Sequence, residues 1–162
     1  MTDGLLIEVS VNRQILSLID GGRVIATYPV STAAAGTGSE PGSMKTPTGR
    51  FVISEKIGGD APEDTIFESR LPIGFWTPGE RDNDDLILSR ILRLEGLDPE
   101  NANTAERFIY LHGTNREDLI GTPVSHGCVR LSKKDIIALY DQVSPGTPLV
   151  ILPPSSNPQP TA

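Results

Sequence analysis

The sequence predicts a mainly β domain, and three observations carry that prediction. Short apolar runs alternate with polar residues, turn clusters rich in Gly, Asp, Asn and Pro separate them, and only one segment has a convincing helical period. Leu5, Ile7, Val9 and Val11 alternate with Leu6, Glu8 and Ser10 as a half-buried strand does, and a second run, Ile15 to Ile19, follows polar Asn12-Arg13-Gln14. Asp20-Gly21-Gly22-Arg23 supplies hairpin turn residues before Val24, Ala26, Tyr28 and Val30, so the first thirty residues read as a β-meander.

From Ser31 to Gly49 the chain is dominated by Gly, Ser, Thr, Ala and Pro, which predicts a long surface loop, and Phe51-Val52-Ile53-Ser54 resumes strand character. A polar, acidic stretch from Glu80 to Asp85 precedes Leu86 to Leu94, where alternation puts Leu86, Leu88, Arg90, Leu92 and Leu94 on one strand face; a helix is the competing reading. Phe108-Ile109-Tyr110-Leu111 reads as a strand that gives way to a loop at His112-Gly113. Lys133 to Val143 is the helix: Ser132 caps it, Asp135 falls three residues later as in a capping box, and Ile136, Ile137, Leu139 and Tyr140 supply an apolar face. Ser144-Pro145-Gly146 stops it, and Leu149-Val150-Ile151-Leu152 is the last strand. With 162 residues this is one domain, 1–152, followed by a Pro/Ser-rich tail, 153–162, that reads as disordered.

Composition narrows the function. A formal net charge of −7 argues against nucleic acid, whose binding depends on basic side chains that displace counterions from phosphates. No stretch is apolar for long enough to make an integral membrane segment. The opening residues show no basic segment followed by an apolar run, so either the protein stays inside or its secretory signal has been removed. A lone cysteine forms no internal disulfide and leaves the redox compartment open.

That cysteine, Cys128, and the two histidines, His112 and His126, all lie between Leu111 and Arg130. Nucleophilic catalysis by cysteine needs a thiolate, an imidazole to take and return the proton, and amides facing the oxygen that becomes negative, and this stretch offers all three. Gly127 lets a substrate carbonyl approach the backbone, and Arg130 suits a thiolate or a substrate carboxylate. Each residue alone has a plainer reading as buried hydrophobe, structural histidine or solvated arginine; their clustering beside two glycines favours a site. Two imidazoles and a thiol also suggest zinc, but one residue between His126 and Cys128 is closer than the usual ligand spacing, so no metal is expected.

The segment Ser125-His126-Gly127-Cys128-Val129-Arg130, preceded by His112-Gly113-Thr114, closely resembles the signature of the bacterial L,D-transpeptidase catalytic domain. Lys45-Thr46-Pro47-Thr48-Gly49-Arg50-Phe51 looks like the Thr-Pro-x-Gly-x-Phe segment found upstream in that family, and the likeness extends from the opening strands to Leu152. The resemblance implies a β-sandwich or barrel-like arrangement with a few short helices, a Cys128 nucleophile and a His112 base oriented by the Gly113 carbonyl. It further implies that His126 shapes the loop, that amides at Gly127 and Cys128 serve the oxyanion, and that Ser125, Thr114 and Arg130 bind substrate, Arg130 through a stem-peptide carboxylate. No cofactor is implied; the partners are peptidoglycan stem peptides, joined 3→3 through a thioester, with stem-peptide hydrolysis as the alternative and a non-catalytic wall-peptide module as a third reading. The location implied is the periplasm or the cell-wall face, a cytoplasmic one being left open by the chain's opening residues. Segments 31–49 and 82–85 are candidate lids over such a site.

Overall fold

In the computed structural model, which describes residues 4–154, ten strands join into one sheet. In chain order they are Leu5–Ser10 (β1), Ile15–Asp20 (β2), Arg23–Pro29 (β3), Gly49–Ile57 (β4), Thr65–Glu68 (β5), Leu71–Phe75 (β6), Ile87–Gly96 (β7), Tyr110–Gly113 (β8), Val129–Leu131 (β9) and Pro148–Leu152 (β10). One α-helix, Lys133–Gln142 (α1), and two short 3-10 turns, Pro99–Asn101 and Glu117–Leu119, complete the described elements. The expected disordered tail lies outside the described residues from 155 onward.

The opening meander forms as its alternation predicts, with Leu5 opposite Asp20 and Ile15 opposite Pro29. The last strand, β10, inserts between β1 and β4: it runs parallel to β1, with Ile7 opposite Leu149, and antiparallel to β4, with Leu149 opposite Phe51. β7 is paired along both edges, since Ile91 lies opposite Ile57 of β4 and also opposite His112 of β8. β5 continues the β4 edge, and β9 extends the sheet beyond β8.

The two ends of the sheet are then stitched together. Ser31 and Arg130 exchange both backbone hydrogen bonds, and Ser125 N–H donates to Thr32 O at 2.9 Å, so the chain leaving β3 closes against β9 in a barrel-like wrap. The expectation of a simple surface loop over 31–49 is therefore corrected. Ser31, Thr32, Ala33 and Thr46 are buried, because the backbone of Ser31 and Thr32 pairs with Arg130 and Ser125 while the Thr46 hydroxyl links the Ala33 N–H to Gly127 O.

The wrapped sheet encloses a core that includes Val9, Leu16, Phe51, Ile53, Leu92, Leu111 and Ile151, all fully buried. Ser132 caps α1 as expected, its hydroxyl accepting the Asp135 N–H at 3.1 Å. The helix buries Ile136 and Leu139 completely and packs on β7 and β8, whereas Ile137 and Tyr140 stay at the rim. Ile136 lies so close to β8 that a Cβ at Gly113 would meet its Cγ2 at 3.0 Å and the Leu88 carbonyl at 2.6 Å.

Two further expectations need correction. The stretch 86–94 is a strand, but its register slips between Leu88 and Ile91, where Ser89 takes φ +75. The slip breaks the single apolar face: Leu88 packs with Ile66 and Leu86, Ile91 with Phe67 and Tyr110, and Leu92 and Leu94 with the main core. The strand expected over 108–111 begins two residues later, because Phe108 turns with φ +58 into solvent, and His112 consequently lies inside β8 rather than after it. The β5–β6 hairpin was not legible at all, since β6 leaves Leu71, Ile73 and Phe75 exposed.

Replacing Ile136 with Ala removes the contact that presses α1 onto β8. We expect a loss of about 2–5 kcal/mol, read from urea unfolding midpoints at an unchanged slope.

Candidate active site

Side chains alternate across a strand, so pairing two strands in parallel decides which residues share a face. Leu111 lies opposite Val129, His112 opposite Arg130 and Gly113 opposite Leu131. Leu111, Val129 and Leu131 enter the core, which leaves His112 and Arg130 on the other face. Cys128 joins that face one residue before β9: the Tyr110 N–H donates to its sulfur at 3.3 Å, and the thiol donates to Phe108 O at 3.4 Å.

His112 is buried, with Nδ1 2.7 Å from Gly113 O. A carbonyl only accepts, so Nδ1 carries the proton and Nε2 keeps its lone pair. Burial pushes the imidazole below its ordinary value and Arg130 adds to this, against the Gly113 carbonyl and Asp85, which favour the imidazolium. Burial likewise pushes the Cys128 thiol up to about 11; Asp85 reinforces the rise, while the Tyr110 N–H, Arg130 and Arg107 oppose it. The resting pair is thus a neutral thiol and a neutral imidazole.

The turn that carries Cys128 is held from two sides. Ser125 Oγ donates to Cys128 O at 2.6 Å and accepts the Gly127 N–H at 3.1 Å. Thr46, in the upstream motif, accepts the Ala33 N–H and donates to Gly127 O, both at 2.9 Å. Gly127 adopts φ +130, a conformation that favours glycine, and a Cβ there would press on Ile109 Cδ1 at 3.0 Å.

These bonds bear on several expected roles. Ser125 and Thr114 are buried, Ser125 Oγ donating to Cys128 O and Thr114 Oγ1 accepting the Arg116 N–H at 3.0 Å, so both hydroxyls brace the site from inside the protein. The Gly127 amide is taken by Ser125, which leaves Cys128 N–H as the amide of that pair without a partner among the described residues. His126 is exposed and reaches Asp85, with Nδ1 3.2 Å from Oδ2. His112, His126 and Cys128 do not form a three-ligand cluster among the described residues.

Arg130 is 4% exposed, and its NH2 lies 2.9 Å from Asp85 Oδ2. Arg107 donates to Lys45 O at 2.7 Å and Gly38 O at 3.2 Å, bracing the upstream motif while its charge acts on the thiol. Asp85 and Arg107 are the site residues that the sequence did not single out. Asp85 belongs to the acidic segment read as a lid, and nothing local separates it from Asp82 or Asp84; Arg107 has no pattern around it.

Fold and site together define a mainly β domain that presents a cysteine, a buried neutral histidine and a buried arginine at the seam of two parallel strands. A family model of the L,D-transpeptidase catalytic domain (YkuD) matches residues 5–151, and the chain belongs to that family. The putative L,D-transpeptidase YkuD of Bacillus subtilis (strain 168) is 30% identical over 149 residues, an alignment covering 90% of this chain and 64% of that protein. Among solved structures, the L,D-transpeptidase (residues 123–326) from Xylanimonas cellulosilytica DSM 15894 matches with a TM-score of 0.60 at 22% identity, over 92% of this chain and 60% of that one. L,D-transpeptidase 3 from Mycobacterium tuberculosis, in complex with a faropenem-derived adduct, matches with a TM-score of 0.58 at 18% identity, over 91% of this chain and 60% of that one. At these identities the two structures speak for the fold, and this chain spans less than two thirds of each relative's length.

Thr46→Val strands the buried Ala33 N–H and Gly127 O, and should cost about 1–3 kcal/mol and, by loosening the turn that buries the thiol, speed alkylation of Cys128 at a fixed pH below the midpoint, read by thermal melting and intact mass. In the folded protein, iodoacetamide alkylation of Cys128 should climb with pH toward a midpoint near 11, and return to the ordinary thiol range on denaturation. Because the folded value is the higher one, the thiol's contribution to stability is complete below the ordinary thiol range and is lost as pH rises toward 11.

Proposed function

We propose that this protein is a cysteine-dependent L,D-transpeptidase that joins peptidoglycan stem peptides through a thioester on Cys128. The observation that carries this reading is the His112 imidazole, locked by Gly113 O in the tautomer whose free Nε2 belongs to the face that holds the thiol. A base of this kind must be neutral and fixed before substrate arrives, and burial supplies the first condition while the 2.7 Å bond supplies the second.

The chemistry follows from the resting state. Since the thiol is held protonated, the reaction begins with transfer of its proton to His112 Nε2 as the sulfur attacks the carbonyl of the third stem residue. The carbonyl carbon gains a C–S bond, and its oxygen takes the negative charge beside the Cys128 N–H. Collapse breaks the C–N bond to the terminal D-alanine, and the imidazolium returns the proton to the departing amine. A side-chain amine of a second stem then attacks the thioester, passes its proton through His112, and releases Cys128 with a 3→3 cross-link formed. Arg130, buried and positively charged beside the thiol, would hold the carboxylate of the donor peptide. Such a substrate places the protein at the periplasmic or wall face of the membrane.

The test is intact-mass spectrometry after incubation with a disaccharide tetrapeptide, with and without a second stem as acceptor. Wild type should yield a cross-linked dimer and a transient adduct, Cys128→Ala neither, and His112→Gln a rate about 10²–10⁴-fold lower. Tripeptide without dimer would move the reading to hydrolysis, and no product would leave a wall-peptide binding module. A carbapenem should leave a covalent adduct on wild type and none on Cys128→Ala, since ring opening needs the same nucleophile.

A further inference from the structure

We propose that Asp85 is a positioning residue of the Cys128 turn: its carboxylate ties the side chains two residues before and two residues after the thiol to one oxygen carried by a separate segment, and so fixes where Arg130 presents its charge to the acyl donor. The inference rests on the acyl-transfer reading above for its substrate and on the structure for its geometry.

Asp85 Oδ2 lies 2.9 Å from Arg130 NH2 and 3.2 Å from His126 Nδ1. Arg130 is buried, and the Asp85 carboxylate at its NH2 holds the guanidinium at one corner. A buried arginine without its carboxylate would be an uncompensated charge, free to swing toward water.

The segment that delivers Asp85 is itself anchored on both sides. Asn115, two residues beyond β8, donates to Asp84 O at 3.0 Å and to Arg81 O at 3.3 Å, and accepts the Leu86 N–H at 3.1 Å. Leu86 is buried beside Ile66 and Leu88 and leads into β7. The residues flanking Asp85 are therefore fastened to the strand that carries His112, and the acidic segment is a strap rather than a loose lid.

The strap also sets the charge around the thiol. Cys128 feels Arg130 from β9, Arg107 from the segment before β8, the Tyr110 N–H from β8 and Asp85 from the strap; His112 feels Arg130, Asp85 and the Gly113 carbonyl. Asp85 is the carboxylate acting on both, opposing the thiolate and favouring the imidazolium. Asn at this position keeps an acceptor for Arg130 and removes the charge, whereas Ala removes both.

The experiment compares wild type with Asp85→Asn, Asp85→Ala and Asp85→Glu, measuring iodoacetamide alkylation of Cys128 against pH and initial rates of acylation against tetrapeptide concentration. Asp85→Asn should shift the alkylation profile to lower pH, raising the rate about three- to tenfold at a fixed pH below the midpoint. Asp85→Ala should raise KM for the tetrapeptide about tenfold with a smaller change in kcat, and Asp85→Glu should recover most of that loss. The proposal fails if the Asp85→Asn profile superimposes on wild type while melting unchanged, or if KM for a folded Asp85→Ala matches wild type. Should wild type not react with tetrapeptide, the transpeptidase reading falls, and the alkylation profile alone then decides the role of Asp85.

Discussion

The parallel register of β8 with β9 is the constraint from which the site follows. Side chains alternate with a period of two, so a slip of one residue in either strand would turn its site residue, His112 or Arg130, into the core and bring an apolar neighbour to the open face. The structure fastens that register beyond the ladder itself. The Thr114 N–H continues it to Leu131 O at 3.1 Å, and Ser31 grips Arg130 from the far end of the sheet. The closure of the barrel-like wrap and the alignment of the site are thus one event, because the bonds that join the sheet's ends are made to the residues beside the thiol.

Burial gives the site its electrostatic character. A half-buried thiol among Phe67, Ile91 and Tyr110 and a buried imidazole on the same face of the strands are both costly to ionise, so the pair rests uncharged. Two arginines pull toward the thiolate without achieving it, and Asp85 restrains them. In the proposed reading such a balance would suit the nucleophile, since a standing thiolate would be open to oxidation and stray alkylation.

Local pattern made part of this legible. The meander, the last strand and α1 follow from alternation, turn residues and a cap, all of which act within a few residues. Cys128 and His112 stood out because their residue types are rare in this chain, and the family likeness supplied the pairing that rarity alone could not. The sequence could not show that Ser125 and Thr114 face inward, because a hydroxyl reads the same whether it meets substrate or a carbonyl. Nor could it distinguish Asp85 from its acidic neighbours, for only the Asn115 clamp determines which carboxylate reaches Arg130. The bulge at Ser89 and the exposed β6 were hidden for a related reason: both depend on partners distant in sequence.

The insertion of β10 between β1 and β4 carries a consequence for how the protein is made. As the chain leaves the ribosome, the meander and β4 emerge early, each with an open edge that only β10 fills. Those edges stay unpaired until nearly the whole domain has been synthesised, so the central sheet is completed late and the nascent chain exposes sticky strands in the interval. Holding factors that shield such edges, or slow passage through a membrane channel that withholds them from one another, would suit this topology, because the last strand to appear is the one that locks the first in place.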